Sequence, residues 1–353
     1  MARKIYIINI EPLDNRYTKQ WHTFIPEKIK QLLPHLEVVN IDGDNTGYDK
    51  PSVGSFFDFS ATMTYKNSQA HMISKLFSDN QVKPNDIFFF TDAWNPSVHT
   101  VRYISELNNI PVKVFGIWHA GWYDKTDILG YTIKNTNWVK NLELSMYNAY
   151  DMNFFGTGHH VDVFKNEHQV DKAKAMIVGY PLDYLKNIPT DYNKKVDMIV
   201  FPHRLNDDKA PYVFDHISEI LGKLNDNIVC VKTQEHNLNK REYYELIGKA
   251  KIVFSANKHE NLGISTYECM RTGCVPVVPD KLSYRDIYPI KYHYSCNDNM
   301  YTDLDSWYNI AVKMLGIIEN YDIGTYNTVL QDANRIHNEY FSCDKMLYTI
   351  DRL

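Results

Sequence analysis

The sequence predicts an α/β protein built from two doubly wound, parallel-sheet domains that face a cleft. Three observations lead there. The chain has 353 residues, beyond the roughly 250–300 residues over which one core usually extends. Short apolar runs alternate with helical periodicity almost throughout, and chemically loaded residues gather just after those runs. With 44% hydrophobic and 23% charged residues, and with 16 Phe, 26 Tyr and 6 Trp, the chain holds material for two cores. It has too little polarity for long disordered tracts.

The elements follow in order. Lys4–Ile10 reads as the first strand, because its apolar run is too short for a secretion signal and no small-residue cleavage pattern follows. Thr23–Leu33 has helical spacing, Glu37–Ile41 is a second strand and Tyr65–Phe77 a second helix. Asp86–Thr91 and Val112–Trp118, separated by the Ser97–Leu107 helix, are rich in β-branched and aromatic residues; Met152–Phe155 and Ala175–Val178 complete the first set. The polar, proline-containing stretch Asn187–Lys195 marks a linker and sets the domain boundary at 188/189. Beyond it Asp197–Phe201, Ile228–Lys232, Ala250–Phe254 and Val275–Val278 read as strands, and Tyr212–Leu224, Lys240–Ile247 and Ile264–Arg271 as helices. Strands spaced by helices form parallel sheets covered on both faces. The domains therefore run over 1–188 and 189–335, and residues 336–353 form a terminal helix that returns to the first domain.

No apolar stretch reaches the roughly 18–20 residues that span a bilayer, and a cytoplasmic protein is expected. Five cysteines without Cys-x-x-Cys or zinc-like spacing read as reduced structural thiols. A net charge of −5 speaks against a surface that neutralises many phosphates, while leaving room for a local basic cleft. Ligands of doubly wound sheets bind at the carboxyl ends of the strands. The loops to inspect are therefore 11–21, 91–94, 119–124, 156–160, 203–209, 233–236 and 257–268.

The richest loop belongs to Phe254-Ser-Ala-Asn-Lys-His-Glu260-Asn-Leu-Gly263-Ile-Ser-Thr-Tyr-Glu268-Cys-Met-Arg-Thr-Gly273-Cys-Val-Pro276-Val-Val-Pro-Asp280. Seven residues separate Glu260, on a loop, from Glu268, within a helix. Gly263 permits close backbone approach where that helix begins, and free amides with the helix dipole make a seat for a diphosphate. Gly273 stops the helix and Pro276 leads into a buried strand.

This stretch resembles the Glu-x7-Glu signature of retaining GT-B glycosyltransferases, in particular family 4, whose usual form is Glu-Gly-Phe-Gly-Leu-Pro-x-x-Glu-Ala-Met-Ala-x-Gly-x-Pro-Val-Val. Both glutamates, Gly263, Met270 and Gly273 are kept, and Pro276-Val277-Val278 comes one residue later. Asn261 replaces the first family glycine and Ser265 the first proline. Upstream, Val200-Phe-Pro-His-Arg204-Leu-Asn-Asp-Asp-Lys209 is similar to the family's Gly-Arg-Leu-x-x-x-Lys-Gly, with Ala210 in place of its last glycine. The resemblance implies that Glu260 binds hydroxyls of the donor sugar and Glu268 the ribose, and that Gly263, Ile264, Asn261 and Ser265 line the donor site. Arg204 and Lys209 would neutralise the departing diphosphate, which GT-B enzymes do with fixed cations and no metal.

In the first domain, Lys113-Val-Phe-Gly-Ile-Trp-His119 resembles the family strand that ends in a histidine facing the transferred sugar. Asp92 lies where relatives carry another histidine; its carboxylate either orients or deprotonates the acceptor, or caps the next helix. The family's Gly-Gly pair after the first strand is absent, leaving Arg16 and Thr18 as candidate phosphate or acceptor contacts. The implied reaction uses a nucleoside-diphosphate sugar, by default a UDP-sugar, and retains anomeric configuration without a carboxylate nucleophile.

The acceptor is less defined. Trp94, Trp118, Trp122, Tyr123 and Trp138 suit stacking on sugars or bases as well as core packing. The opening Ile-Glu-Pro-Leu-Asp-Asn-Arg-Tyr-Thr-x-Gln-Trp resembles glycosyltransferases of tailed bacteriophages, some of which modify hydroxymethylated DNA bases. 5-Hydroxymethylcytosine, flipped from the duplex, is then the expected acceptor, with Lys134, Lys140, Lys165, Lys172, Lys174, Lys194 and Lys195 as a candidate phosphate-tracking rim. The alternatives are a surface polysaccharide or lipid-linked glycan, and a non-catalytic nucleotide-sugar or nucleic-acid binding protein.

Overall fold

The computed structural model describes residues 3–13, 16–45, 58–134 and 136–353. By internal contacts the chain forms two units, Met1–Pro181 with Cys343–Leu353, and Leu182–Ser342.

The first unit is a parallel six-stranded sheet of β1 (Arg3–Ile8), β2 (Leu36–Ile41), β3 (Ile87–Phe90), β4 (Lys113–Ile117), β5 (Met152–Phe155) and β6 (Ala175–Ile177), in the order β2-β1-β3-β4-β5-β6. β3 reads Ile-Phe-Phe-Phe and is buried at every position, as a central strand covered on both faces must be. Tyr6 lies opposite Phe88 in the β1–β3 register and stacks on it, with ring centroids 4.9 Å apart. The Phe59–Ser78 helix starts where Asp58 accepts a hydrogen bond from Ala61 N–H at 2.8 Å. From that helix the fully buried Gln69 donates to the carbonyls of Asn9 (2.7 Å) and Ile41 (3.0 Å), tying the carboxyl ends of β1 and β2 together.

The second unit is a parallel five-stranded sheet of β7 (Val196–Phe201), β8 (Val229–Lys232), β9 (Ala250–Phe254), β10 (Val275–Pro279) and β11 (His293–Tyr294), in the order β11-β10-β9-β7-β8. Ile199, Phe201, Phe214, Phe254, Trp307 and Met314 meet in its main core. The Lys240–Ile247 helix opens with a reciprocal capping box between Asn239 and Glu242. β11, with two residues, and the Leu304–Glu319 helix are elements that the strand and helix signals above do not name.

Two boundaries differ in detail from the sequence expectation. Leu182–Ile188 groups with the second unit, while Tyr180, whose hydroxyl donates to the Trp118 carbonyl at 2.9 Å, stays with the first. The expected single helix over 336–353 is three pieces: the end of Ile323–Ile336, a π-helical turn over His337–Phe341, and Asp344–Arg352. Ser342 is extended (φ −107°, ψ 143°) and breaks the run. The last helix belongs to the first unit, where Asp351 pairs with His35 at 2.8 Å.

Both sheets reverse their winding once, between β1 and β3 in the first unit and between β7 and β9 in the second. At such a switch point the flanking loops part and leave a crevice at the strand carboxyl ends. Glu11, Thr91 and Asp92 follow the first pair, and His203, Arg204 and Ser255–Glu260 follow the second. Among the described residues no helix is long and apolar enough to cross a membrane.

Candidate functional site

The second unit assembles most of the expected donor residues at its switch point. Gly263 ends the loop after β9 in the left-handed region (φ 74°, ψ 47°) and caps the Ile264–Arg271 helix without a side-chain hydrogen bond. A Cβ there would meet Tyr284 Cε1 at 3.1 Å, so both conformation and space favour glycine. The first intrahelical bond is Tyr267 N–H to the Gly263 carbonyl (3.1 Å). The amides of Ile264, Ser265 and Thr266 therefore have no acceptor inside their helix. The Gly263 amide itself, expected to help seat a diphosphate, instead donates to Glu260 Oε1 at 2.9 Å.

Glu260 is held from both oxygens. Oε2 accepts from Asn257 Nδ2 at 3.0 Å and lies 3.5 Å from Lys209 Nζ. Asn257 also donates to the Tyr284 hydroxyl at 2.9 Å, which pairs with Ser255 Oγ at 2.7 Å. Lys209 is largely buried and donates to the His259 carbonyl at 2.5 Å, so its ammonium props the Glu260 loop. Burial opposes the charged form of Glu260, yet Lys209, His203, His259 and the Gly263 amide hold its carboxyl down at about 2. His203 is itself pushed down to about 3, first by burial and then by Lys209. It is neutral at pH 7, which leaves Lys209 as the charge opposite Glu260.

Arg204 is 41% exposed, and its Nη2 lies 3.8 Å from Asp208 Oδ2. Ser265 Oγ lies 3.2 Å from His203 Nδ1, and Asn261 is buried in the turn before Gly263. Ala210, where the resembling family has glycine, takes a left-handed conformation (φ 48°, ψ 53°) immediately before Pro211 opens its helix. Glu268 stands apart from this group. Its Oε1 accepts from Lys240 Nζ at 2.6 Å and from the Tyr244 hydroxyl at 3.1 Å, and the Lys240 ammonium lies 4.7 Å from the Tyr244 ring centroid.

The first unit brings His119 and Asp92 together, but in bonds of their own. His119 Nε2 lies 2.7 Å from the Thr91 carbonyl and Nδ1 lies 2.7 Å from the Tyr17 hydroxyl. A carbonyl only accepts, so Nε2 carries the proton and Nδ1 accepts from Tyr17. Burial lowers the imidazole's affinity for a second proton, with Asp92 opposing. Asp92 pairs with the buried Lys66 at 2.7 Å and accepts from Trp94 N–H at 3.0 Å. Burial opposes its charge, but Lys66 and then His119 hold it below the usual carboxylate range. It caps no helix: the Ser97–Leu107 helix has Pro96 at its N-cap and no side-chain cap.

Several expected contacts are engaged elsewhere. Thr18 is buried and accepts from Leu13 N–H at 3.3 Å, while Arg16 is the N-cap residue of the Tyr17–Leu32 helix. Asp14 and Asn15 of the opening stretch lie outside the described residues. Trp118, Trp122 and Tyr123 are core residues, Trp94 donates to the buried Glu143 at 2.9 Å, and of the five aromatics only Trp138 is half exposed. Lys195 is half-buried in the second unit and donates to the Ala250 carbonyl (2.6 Å), Lys194 reaches Asp191 (4.0 Å), Lys140 reaches Glu167 (3.9 Å), and Lys134 and Lys174 bond backbone carbonyls. Lys165 lies on the Gly158–His168 helix, and the Lys172 side chain lies outside the description. Sequence reasoning missed His203, Asn257, Tyr284 and Lys66; the first two are signalled only by following β7 and β9 at the switch point.

No protein-family model matches the chain. It is 25% identical over 169 residues to the tRNA-queuosine alpha-mannosyltransferase of Drosophila melanogaster, a match covering 36% of this chain and 43% of that one. The chain thus matches less than half the length of that relative. A glycosyltransferase from Rickettsia africae has a similar structure (TM-score 0.64, 12% identity, covering 99% of this chain and 96% of that one). So has Anabaena HepE, solved in complex with UDP (TM-score 0.60, 9% identity, covering 99% and 97%). The chain has the GT-B fold of glycosyltransferases.

Proposed function

We propose that this chain is a glycosyltransferase that moves a sugar from a nucleoside-diphosphate sugar, by default a UDP-sugar, to an acceptor hydroxyl with retention of configuration. The observation that carries the reading is Glu260, a partly exposed carboxylate held ionised at the switch point beside the N-terminus of the Ile264–Arg271 helix. A carboxylate fixed in this state accepts hydrogen bonds from sugar hydroxyls and does not serve as an acid. The amides of Ile264, Ser265 and Thr266, with Arg204, meet the charge that develops on the leaving diphosphate. Glu268 takes the ribose, with Lys240 and Tyr244 fixing its carboxylate. UDP in the HepE complex supports this choice of donor.

Retention follows the Glu-x7-Glu resemblance. The acceptor oxygen bonds the anomeric carbon on the face from which the diphosphate departs. The anomeric bond to the phosphate oxygen breaks, and the acceptor proton passes to that phosphate. Asp92 and His119, neither of which has the geometry of a nucleophile, stabilise the first-unit loops that meet the acceptor. We propose 5-hydroxymethylcytosine in DNA as that acceptor, and the Drosophila relative, named for mannosyl transfer to a tRNA nucleoside, supports a base in nucleic acid.

The test is nucleoside-diphosphate release from UDP-, GDP- and ADP-sugars, with and without hydroxymethylcytosine DNA, followed by assignment of the product anomer by NMR. Equal, negligible release by the native chain and Glu260→Ala sinks the enzyme reading. Transfer to a polysaccharide but not to DNA moves the acceptor to the glycan class, and an inverted anomer removes retention.

A further inference from the structure

We infer that His203 is a donor-binding residue whose Nε2–H hydrogen-bonds the distal phosphate of the nucleoside-diphosphate sugar. The inference rests on the glycosyltransferase reading and adds a contact that the sequence motifs do not contain. In the resembling stretch the residue before the arginine is glycine; here that position carries an imidazole.

The placement is specific. His203 follows β7 by two residues at the switch point and is 3% exposed, with the Phe201 ring edge-on at 5.0 Å. Its Nδ1 lies 3.2 Å from Ser265 Oγ and 3.5 Å from Asn257 Nδ2. An amide nitrogen only donates, so Nδ1 is the acceptor and the neutral ring carries its proton on Nε2. That Nε2 is buried and has no hydrogen-bond partner among the described residues. A buried donor without an acceptor is unfavourable and calls for a ligand or a role.

The neighbours define the ligand's charge. Ser265, which holds Nδ1, is the second residue of the helix whose first amides have no acceptor within the helix, and Asn257 links the ring to Glu260. His203 Nδ1 therefore faces both Ser265, on the helix of the diphosphate seat, and Asn257, which bonds the carboxylate assigned to the sugar, and this places the ring beside the phosphate end of the proposed donor site. Burial, and after it Lys209 and Arg204, disfavour a further cation on the ring, with Glu260 opposing them. A neutral N–H in this position complements an anion without competing with Glu260 for the lysine.

The experiment measures binding calorimetrically for UDP, GDP and ADP and for the matching monophosphates, in the native chain and in His203→Gln, His203→Asn and His203→Ala. Glutamine places an amide donor near the Nε2 position, and asparagine places one near Nδ1. We expect His203→Ala and His203→Asn to weaken the preferred diphosphate at least tenfold, the monophosphate less than twofold, and His203→Gln to stay within about threefold of native. Losses equal for diphosphate and monophosphate, no loss in His203→Ala, or a His203→Gln as weak as His203→Ala would each overturn the assignment while leaving the glycosyltransferase reading intact. A native chain that binds none of the diphosphates removes that reading and the inference with it.

Discussion

Replacing Glu260 with glutamine tests whether the carboxylate at the switch point is held by its charge. The two side chains share a shape, but glutamine offers one acceptor and one donor where the carboxylate offers two acceptors. If its oxygen takes the Gly263 amide (2.9 Å in the native chain), its NH2 group faces Asn257 Nδ2 and the Lys209 ammonium, which lie 3.0 and 3.5 Å from Oε2. The flipped amide sets NH2 against the Gly263 N–H instead. Neither orientation satisfies the site. The carboxyl is held at about 2, against an ordinary 4.5; at ~1.4 kcal/mol per unit this is roughly 3 kcal/mol favouring the ionised form. Loss of two hydrogen bonds to a charged acceptor, at ~1.5–3 kcal/mol each, is of the same size.

The assay is urea unfolding of both proteins from pH 8 to pH 3, followed by circular dichroism. At pH 7 the variant's midpoint is expected to fall by about 1 M, taking a slope of ~3 kcal/mol per molar. The pH dependence carries the sign. A carboxyl whose folded value is depressed contributes stability that is fully present above about 4.5 and is lost as pH falls through its folded value near 2. The gap between the two proteins should therefore be flat from pH 8 to pH 5 and narrow below. Equal midpoints at pH 7, or a gap that closes between pH 8 and pH 6, would show that ionisation of Glu260 does not hold this loop.

Four further outcomes are expected. Gly263→Ala forces a methyl into the left-handed region and against Tyr284, costing about 1–2 kcal/mol; a loss under ~0.5 kcal/mol in the same urea assay contradicts the conformation. Glu143→Ala strips the fully buried carboxylate that accepts from Trp122 N–H (2.5 Å), Tyr123 N–H (3.1 Å), Trp94 Nε1 (2.9 Å) and His168 Nε2 (2.8 Å). It should cost about 3–5 kcal/mol and shift the tryptophan fluorescence; an unchanged spectrum and midpoint refute the anchoring. Glu268→Gln should weaken UDP about tenfold and 2′,3′-dideoxy-UDP not at all; equal losses remove the ribose assignment. His203, with a folded value of about 3 against an ordinary 6.5, contributes stability that is complete above 6.5 and is lost as pH falls toward 3. Ring-nitrogen NMR should show it neutral from pH 8 to pH 5, and protonation near 6.5 would contradict its burial.

The fold was legible because its signals are local. β3 is an unbroken apolar run and the Ile264–Arg271 helix is bracketed by two glycines, so sequence and structure agree on these elements nearly residue for residue. The terminal segment was less legible because extended Ser342 carries no proline or glycine to announce the break. Among the candidate site residues, spacing singled out Glu260, Gly263 and Glu268, which lie within one loop and helix. It did not identify His203 or Tyr284, brought to Asn257 and Glu260 by separate strands and helices. Aromatic residue type also misled: Trp118 follows β4 like a binding-loop residue, yet its indole is buried and donates to Asn153 at 2.8 Å. The residue type suits a ligand and a core equally, and only burial separates the two.

The two switch-point clusters differ in how their polar groups are satisfied, and that difference bears on their roles. In the first unit His119, Thr91, Tyr17, Asp92 and Lys66 bond mainly one another, so the cluster is a closed network that fixes the loops after β1, β3 and β4. In the second unit Glu260, Asn257, Tyr284 and Ser255 close a similar network, but the first amides of the helix beside it have no acceptor within that helix, and His203 Nε2 has none among the described residues. A network that is rigid yet short of acceptors is organised in advance for an anion, since binding then requires little reorganisation of the protein's own dipoles. The departures from the family pattern follow the same logic. Ala210 keeps the left-handed turn that glycine would make, and Ser265, in place of proline, supplies the hydroxyl that orients His203. If the proposed donor site is correct, its specificity should lie in the side chains that differ from the resembling signature, His203 first among them.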